Sequence, residues 1–458
     1  MPLTGVEIYK LLPKTNCRKC GFPTCLAFAM KLAAGQVELS ACPELSPEAR
    51  KALEDALRPT MRLVSIGKGE KKIDIGGETV MFRHEKAFLH PPGILIRIKD
   101  TSPLEEARRV VKEVAGYGVK RAGVNFALNG FALQNESGSP ADFLKLVEMA
   151  AETELPLVLI SSKLENLKMA AEKIAEFRPA LYAATKENKD YMLSLAKDFD
   201  CPLVVRSSEN LEELAELAEE AGKAGVEDLI LDPGRRSLID SLLDLTYIRR
   251  LAVRRGYRPL GFPVISFPGE GASSPEEEMI LAGQHIIKYS SLIVLDNFLP
   301  SLVYPLLILR LNIYTDPQIP LSVEEGVYKI GNPDEKSPVL LCSNWALTYL
   351  LLSSAVEAAN IPAFLCVKRI EEADVLCWCH HCLRGLQPGS LNPDEVGQFV
   401  KRCGIEEMVR HRKLIIPGRA TRFKAELGQA LPDWEIIVGP EDETRVEVSL
   451  PEFARRLG

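Results

Sequence analysis

The sequence Ile94-Leu95-Ile96-Arg97-Ile98 begins a regular alternation of short apolar segments with helical stretches rich in Ala, Leu, Glu and Lys. The alternation continues to about residue 311. It predicts eight strands, at residues 94–98, 122–126, 157–160, 180–183, 203–205, 229–231, 264–266 and 292–295. One crossover helix fits between neighbouring strands, and eight such units in about 220 residues is the usual size of a TIM (β/α)8 barrel. Function in such barrels is expected at the carboxyl ends of the strands.

The rest of the chain of 458 residues flanks this barrel. The predicted fold is α/β, with domain boundaries at residues 1–58 for a small amino-terminal domain, 59–90 for a connector, 91–312 for the barrel and 313–458 for a Rossmann-like α/β domain. The connector has short strand-like runs at residues 61–66, 72–75 and 79–82. The last domain has four predicted strands, at residues 339–341, 364–367, 414–416 and 436–438, and ligands in such open sheets bind outside the carboxyl ends of the strands.

Composition excludes several classes of protein. The chain is 46% hydrophobic and 26% charged, and no window approaches the roughly 20 apolar residues that span a bilayer. A net charge of -7, with Lys and Arg scattered along the chain, argues against a nucleic-acid partner. Residues 1–10 lack the features of a secretory signal, so we expect a cytoplasmic protein.

Four of the eleven cysteines lie close together near the amino terminus, in the pattern C-x2-C-x4-C-x16-C formed by Cys17, Cys20, Cys25 and Cys42. Four thiolates are what a [4Fe-4S] cluster requires, and Gly21 inside the tight part lets the backbone fold around inorganic sulfide. Structural zinc is the alternative, but it usually prefers two C-x2-C knuckles, whereas only one is present here. The pattern favours the cluster.

The segment from Cys17 to Cys25, with Cys42-Pro43, resembles the cluster domain of the corrinoid iron-sulfur protein large subunits, the gamma subunits of acetyl-CoA decarbonylase/synthase complexes. The resemblance extends over nearly the whole chain. It includes the following segments: Ile75–Val80, Phe82–Lys86, Leu231–Gly234, Tyr314–Pro317, Ile330–Pro333, Ser337–Leu340, Leu347–Tyr349, His411–Gly418 and Val438–Pro440.

This resemblance implies a function and two cofactors. A corrinoid would carry a methyl group on cobalt from a methyltetrahydrofolate-dependent methyltransferase to acetyl-CoA synthase, in the reductive acetyl-CoA pathway of anaerobic carbon fixation. The [4Fe-4S] cluster would reduce cobalt that has been oxidised to cob(II), and the chain would be an enzyme only as a subunit of a methyltransferase complex. A second, smaller TIM-barrel subunit is the implied partner in a heterodimer. The implied corrinoid contacts are Cys342, Thr348, Glu372, Ala373, Asp374, Val375 and Gly439.

The chain departs from the family pattern just after these contacts. Five metal-binding side chains fall within six positions, at Cys377, Cys379, His380, His381 and Cys382. They are consistent with a second zinc or iron-sulfur site, with a histidine ligand for cobalt, or with a packed helix that has no metal. The alternative function is therefore that of a divergent paralogue, which transfers electrons or handles corrinoid with altered cobalt ligation.

Polar side chains also end several of the predicted barrel strands, at Asp100, Asn125, Asp232 and Asp296. They are candidates for a polar site at the carboxyl ends of the strands. The same side chains are equally suited to capping helices or binding backbone amides. The resemblance to the corrinoid iron-sulfur family implies that the barrel is a docking scaffold without chemistry of its own.

Overall fold

The computed structural model describes residues 5–33, 37–50, 53, 60–121, 124–315, 321–370, 392–440 and 445–457. The chain divides into two compact units. The first unit consists of Met1–Gly118 and Ala127–Thr315, and the second of Val119–Phe126 and Asp316–Gly458. Among the described residues, no helix is both long enough and apolar enough to cross a membrane.

The first unit begins with two short helices, α1 (Gly5–Leu11) and α2 (Cys25–Ala33), and a 3-10 turn at Leu39–Ala41. Ile8, Phe28 and Leu53 are buried together in the small core of this region. Cys25 and Cys42 are buried in the same core, so apolar packing positions two of the four clustered cysteines.

An antiparallel hairpin follows, made of β1 (Leu63–Ile66) and β2 (Ile73–Gly76). Val64, Ile66 and Ile75 are buried in one core with side chains from the barrel strands. The turn between the two strands meets the start of a barrel strand, because the N–H of Gly67 donates to the carbonyl of Arg178. The hairpin therefore covers the amino ends of the barrel strands. The predicted strand at residues 79–82 is wrong, because those residues form an irregular segment that ends in a bend and has no β partner.

Eight parallel strands form the barrel predicted from the sequence. Their bounds are β3 (Gly93–Lys99), β6 (Gly130–Asn135), β7 (Leu157–Ser161), β8 (Ala180–Ala184), β9 (Leu203–Arg206), β10 (Leu229–Asp232), β11 (Ile265–Ser266) and β12 (Leu292–Leu295). Strand β12 pairs with β3, and a single bridge between Leu231 and Val264 joins β10 to the start of β11. The sheet thus closes on itself with one weak seam.

Helices connect these strands along the sequence. Their bounds are α3 (Leu104–Gly116), α4 (Pro140–Ala151), α5 (Leu164–Lys173), α6 (Lys189–Asp198), α7 (Leu211–Lys223), α8 (Leu238–Arg249), α9 (Pro275–Ile287) and α10 (Pro300–Tyr314). The side-chain oxygens of Ser139, Asn210 and Ser237 cap the amino ends of α4, α7 and α8 by accepting backbone N–H bonds. Each cap fixes where the chain leaves a strand-end loop.

The second barrel strand differs from the prediction. Residues 122–126 were predicted as that strand, but a separate two-stranded sheet forms there from β4 (Gly118–Arg121) and β5 (Val124–Ala127), and β6 takes the place in the barrel. Asn125 therefore does not end a barrel strand. Phe131 and Leu133 of β6 are fully buried, as in the other barrel strands. In β5, by contrast, Asn125 is exposed beside the buried Phe126, as expected for a strand with one solvated face.

The second unit contains a five-stranded sheet in the order β13-β15-β14-β16-β17. The strand bounds are β13 (Gly326–Ile330), β14 (Val339–Ser343), β15 (Ala363–Lys368), β16 (Lys413–Ile416) and β17 (Glu435–Val438). The helices are α11 (Ala346–Ala358), α12 (Pro393–Arg402), α13 (Ile405–Met408), α14 (Lys424–Ala430) and α15 (Val446–Leu457). The prediction of four strands was wrong by one, because β13 is a half-exposed antiparallel edge strand without a continuous apolar run.

Strand β14 pairs in parallel with β15 on one side and with β16 on the other. The chain moves outward from β14 to β15 and then returns to build β16 and β17 on the opposite side, so the strand order reverses between β14 and β16. A crevice at the carboxyl ends of strands where the order reverses is the usual ligand position in an open α/β sheet. The end of β14, at Ser343, is therefore the expected ligand position in this sheet.

Candidate functional site

The first two cysteines of the amino-terminal group, Cys17 and Cys20, lie on a tight loop between α1 and α2. Asn16 and Arg18 on either side of Cys17 have positive φ angles of 49° and 63°, and Gly21 beside Cys20 has a φ of 84°. The N–H of Gly21 donates to the carbonyl of Arg18 at 2.9 Å, which closes a turn. The loop therefore turns sharply beside both cysteines of the C-x2-C pair.

Helix α2 fixes the third cysteine at its first residue. The N–H of Cys25 donates to Asn16 Oδ1 at 2.8 Å, and Thr24 Oγ1 accepts from the N–H of Ala27 at 3.1 Å. Both bonds satisfy N–H groups that would be unpaired at a helix start. The carboxamide of Asn16 thus ties the first turn of the helix to the residue next to Cys17.

The fourth cysteine, Cys42, follows the 3-10 turn and is buried, whereas Cys17 is exposed. Burial raises the pKa of the Cys42 thiol, and negative charge on Cys20, Cys25 and Cys17 raises it further. Cys25 and Cys42 are buried in one small core and Cys20 packs against it, so these three thiols lie in one region. Bonding to the Lys19 N–H and to the Thr15 side chain lowers the pKa of Cys17.

This arrangement fits a [4Fe-4S] cluster. Within the described ranges, no three His, Cys, Asp or Glu side chains are placed to hold a single metal ion. A four-iron cluster distributes its four thiolates over four different irons, so it does not need the ligands to meet at one point. Positive charge on the irons would also offset the burial and the nearby negative charge that raise the pKa of Cys42.

The second predicted site lies in the other unit, at the end of β14. Cys342 is completely buried in the core on one face of the sheet, and Thr348 is completely buried in the first turn of α11. Gly439 follows β17, and its N–H donates to the carbonyl of Ile416 at 2.8 Å. Cys342 thus lies near the carboxyl end of β14, Thr348 in the helix that follows this strand, and Gly439 directly after β17. The thiol of Cys342 faces apolar core.

Sequence reasoning missed Ser343, the last residue of β14. This serine is fully buried, and its hydroxyl has no hydrogen-bond partner among the described residues. Its neighbour Asn344 is buried too, but its Oδ1 accepts from the N–H of Ile370 at 3.0 Å. A buried hydroxyl without a partner is costly, so this atom fits a site completed by a polar ligand. The Ser-Asn pair that ends an unbroken apolar strand was the available signal.

The remaining predicted contacts and the possible second metal site lie outside the described residues. They are Glu372, Ala373, Asp374, Val375, Cys377, Cys379, His380, His381 and Cys382.

Comparison with known proteins assigns both ends of the chain. A family model described as an Fe-S cluster matches residues 12–44, which include all four clustered cysteines. The class is therefore that of an Fe-S domain joined to an α/β barrel and a carboxyl-terminal α/β sheet. A second family model, described as CO dehydrogenase/acetyl-CoA synthase delta subunit, matches residues 63–450. The chain belongs to this family of CO dehydrogenase/acetyl-CoA synthase subunits.

Two relatives refine the position within that family. The corrinoid/iron-sulfur protein large subunit of Moorella thermoacetica is 38% identical over 447 residues, covering 97% of this chain and 98% of that protein. The acetyl-CoA decarbonylase/synthase complex subunit gamma of Methanothermobacter thermautotrophicus is 33% identical over 467 residues, covering 100% of this chain and 99% of that protein. The family model of the delta subunit does not include the cysteine segment, because its match begins at residue 63. The alignment with the gamma subunit covers this segment as well. The chain is therefore of the large, or gamma, type.

Solved structures add nothing to this assignment. Dihydropteroate synthase from Thermus thermophilus aligns with 52% of this chain and 94% of its own length, at 17% identity and a TM-score of 0.36.

Proposed function

We propose that this chain is the corrinoid and iron-sulfur methyl carrier of an acetyl-CoA synthase system, working in the cytoplasm. The full-length similarity to a protein named a corrinoid/iron-sulfur large subunit carries the proposal. When bound, the corrinoid supplies a cobalt that carries a methyl group, and the cluster supplies electrons that return cobalt to its reactive state. The protein's part is to bind both groups and to control their surroundings.

The four cysteines near the amino terminus would hold the cluster. Cys25 and Cys42 stand in a packed apolar core, whereas Cys17 is exposed, so one edge of the cluster would be open to solvent and the opposite edge shielded. Solvent exposure and hydrogen bonds to sulfur are the main controls on cluster potential. An exposed edge also suits electron exchange with a partner protein.

The carboxyl-end loops of the second unit would hold the corrinoid. Ser343 would place a hydroxyl at the position where the strand order reverses, and Gly439 would let the ligand approach the backbone closely, because it has no side chain. Cys342 and Thr348 would support these loops from the core. We propose domain boundaries at residues 58, 90 and 312, with the corrinoid in the last domain.

The cluster assignment predicts about four irons per chain in protein purified without oxygen. Cys20→Ala is expected to remove the iron and the brown absorbance and to leave bound corrinoid in place, because the two sites lie in different units. Cys201→Ala is the matched control, since this buried barrel cysteine bonds only to a backbone carbonyl in the described structure. Iron that persists in Cys20→Ala would refute the assignment.

The corrinoid assignment is tested with Ser343→Ala and the control Ser353→Ala. Ser353 is also in the second unit, but its hydroxyl already donates to the carbonyl of Leu350 at 3.1 Å. We expect Ser343→Ala to weaken corrinoid retention about tenfold, as for loss of one buried hydrogen bond of about 1.4 kcal/mol. Equal retention in both variants would show that Ser343 does not contact the corrinoid.

Methyl transfer requires partners. We propose that this chain forms a heterodimer with a second, smaller barrel subunit. The heterodimer receives methyl groups from a methyltetrahydrofolate-dependent methyltransferase and delivers them to acetyl-CoA synthase. Light scattering of the chain co-expressed with its genomic neighbours tests the heterodimer. A stable monomer that binds corrinoid and transfers methyl groups alone would contradict it.

The residues from Cys377 to Cys382 bear on the alternative function, a paralogue with altered cobalt ligation. A histidine ligand would give nitrogen superhyperfine splitting in the cob(II) EPR spectrum, and His380→Ala or His381→Ala would remove it. A second metal site would instead raise the metal content above that of the first cluster. That excess would disappear in the Cys379→Ala, Cys382→Ala double variant.

A further inference from the structure

A polar cavity of about 580 Å3 opens at the carboxyl ends of the barrel strands. Five consecutive strands contribute to it, β3 and β6 to β9, with the segment after β11. The volume falls within the roughly 300–1,000 Å3 that is typical of small-molecule sites. Neither the cluster nor the corrinoid assignment uses this cavity, because both place their groups elsewhere in the chain.

Two of the arginines near this cavity are fully committed to carboxylates. Arg97 forms a bidentate pair with Asp296, and Arg236 forms one with Asp232 at 2.7 and 2.8 Å. Glu270 bridges them, since one oxygen accepts from Arg97 and the other from Arg236, each at 2.7 Å. This chain of three carboxylates and two guanidiniums forms a rigid wall that spans the ends of β3, β10 and β12.

A third arginine, Arg206 at the end of β9, is not committed in this way. Its closest carboxylate oxygen is Asp232 Oδ2, at 3.8 Å, which is beyond hydrogen-bond distance. Asp232 is already saturated, because it also accepts from Tyr182 at 2.6 Å and from the N–H of Gly234 at 2.8 Å. The side chain of Arg206 is 39% exposed, lines the cavity, and donates no hydrogen bond to any residue the structure describes.

A second unpaired group lines the same cavity. Gln134 Oε1 is buried and has no hydrogen-bond partner in the described part of the chain. A carboxamide oxygen in this position needs an N–H or O–H donor, because leaving it unpaired costs about 1–3 kcal/mol. Ser161 and Asn188 add further polar groups to the lining. Among the described residues, the cavity therefore presents one arginine that donates no hydrogen bond, with its nearest carboxylate oxygen 3.8 Å away, and one acceptor without a donor.

The aromatic side chains of the lining do not offer a stacking surface. The Phe267 ring is 2% exposed and lies against the guanidiniums of Arg97 and Arg236, at 5.7 and 5.0 Å from its centre. Tyr182 packs edge-on against the same ring at 5.1 Å. Because these rings are engaged with each other and with the ion pairs, the lining favours a small polar ligand over a flat heterocycle.

We propose that this cavity binds a small organic anion that carries a carboxylate or phosphate group and a hydroxyl or amino group. Arg206 binds the oxyanion through the planar fork of its guanidinium, which matches carboxylate and phosphate geometry. Gln134 Oε1 accepts from the hydroxyl or amino group. The barrel then has a ligand of its own, separate from the two redox groups of the chain.

Binding is measured with full-length, cluster-containing protein under anaerobic conditions, by calorimetry and saturation-transfer NMR. Malate and glycerol 3-phosphate are the probes for the two oxyanions, and whichever binds more tightly identifies the oxyanion. Succinate lacks the hydroxyl of malate. If malate binds, succinate is expected to bind about tenfold more weakly in the wild type, and Gln134→Leu is expected to abolish that difference.

Arg206→Gln is expected to weaken binding at least about tenfold, as for loss of a charge-assisted contact. Arg255→Gln is the matched control, because this exposed arginine follows α8 and precedes β11, at the amino ends of the strands. Thermal unfolding verifies that both variants fold. The absence of saturable binding of both probes to the wild type, or equal affinity in the two arginine variants, would overturn the proposal.

Discussion

Replacing Asp232 with asparagine is expected to destabilise the barrel through its buried ion pair. The Asp232 side chain is completely buried, and its two oxygens accept from Arg236, Tyr182 and the N–H of Gly234. Removing one partner of such a pair typically costs about 3–5 kcal/mol, because the other charge stays buried. Arg236 keeps its bond to Glu270, so we expect the lower limit, about 3 kcal/mol.

Thermal unfolding measures this change. One kcal/mol corresponds to roughly 2–4 °C for a unit of this size, so Asp232→Asn is expected to lower the unfolding midpoint of the barrel by about 6–12 °C. Asp198→Asn removes an exposed carboxylate at the end of α6 and is expected to change stability by less than about 0.5 kcal/mol. A shift of less than about 2 °C in Asp232→Asn would refute the reasoning, because the pair would then contribute nothing beyond a surface contact.

The same pair makes the barrel sensitive to acid. Burial by itself would raise the pKa of Asp232, but the hydrogen bonds and charge of Arg236, with the bonds from Tyr182 and Gly234, lower it below the usual value. A carboxylate with a depressed pKa in the folded state contributes stability above its unfolded pKa, near 3.9, and that contribution is lost as the pH falls through the folded value. The thermal unfolding midpoint of the wild type is expected to decrease when the pH is lowered below about 4. The same decrease is expected to be less steep in Asp232→Asn.

Two further predictions test other parts of the fold. Gly76→Ala is expected to destabilise the first unit by about 1–3 kcal/mol, because Gly76 has a φ of 85° and an added Cβ would lie 2.3 Å from the Arg62 carbonyl oxygen. Gly222→Ala, in open space on α7, is expected to stabilise the same unit by about 0.5–1 kcal/mol. Urea unfolding measures both changes, and equal effects of the two substitutions would contradict this reasoning. Burial opposes ionisation of Glu325, but bonds from Lys368 and other donors lower its pKa to about 2. The second unit is therefore expected to lose stability as the pH falls from about 4 towards 2, and Glu325→Gln is expected to reduce that loss. Fluorescence of the three tryptophans, which all belong to this unit, measures its unfolding. Identical acid unfolding profiles in the wild type and Glu325→Gln would contradict this role of Glu325.

Much of the fold followed from the sequence alone. Seven of the eight barrel strands were predicted where they occur, because parallel strands covered on both faces are short continuous apolar runs, and the helices between them are amphipathic. The exception is β6, where Gln134 and Asn135 leave a run of only three apolar residues after Gly130 and the nearby segment at residues 122–126 was a stronger local candidate. Local pattern cannot decide between two adjacent segments that compete for one place in a sheet.

The candidate sites divide in the same way. The four clustered cysteines were predicted as cluster ligands from their spacing. The first three are close in space because they are close in sequence, whereas Cys42 comes after α2 and its place depends on packing in the small core. Ser343 was not found, because a serine at the end of a strand is ordinary until the structure leaves its hydroxyl buried and without a partner in the described residues.

The sequence by itself determined the order of the elements, the cysteine loop and the family. Only the tertiary structure decided that Arg206 stays uncommitted while Arg97 and Arg236 are neutralised. These arginines are separated from one another by 30 or more positions, and the carboxylate Asp296 lies far along the chain from its partner Arg97. Barrel closure between β12 and β3 brings Asp296 beside Arg97. Hydrophobic periodicity is a local property, whereas the pairing of charges depends on which strand ends become neighbours.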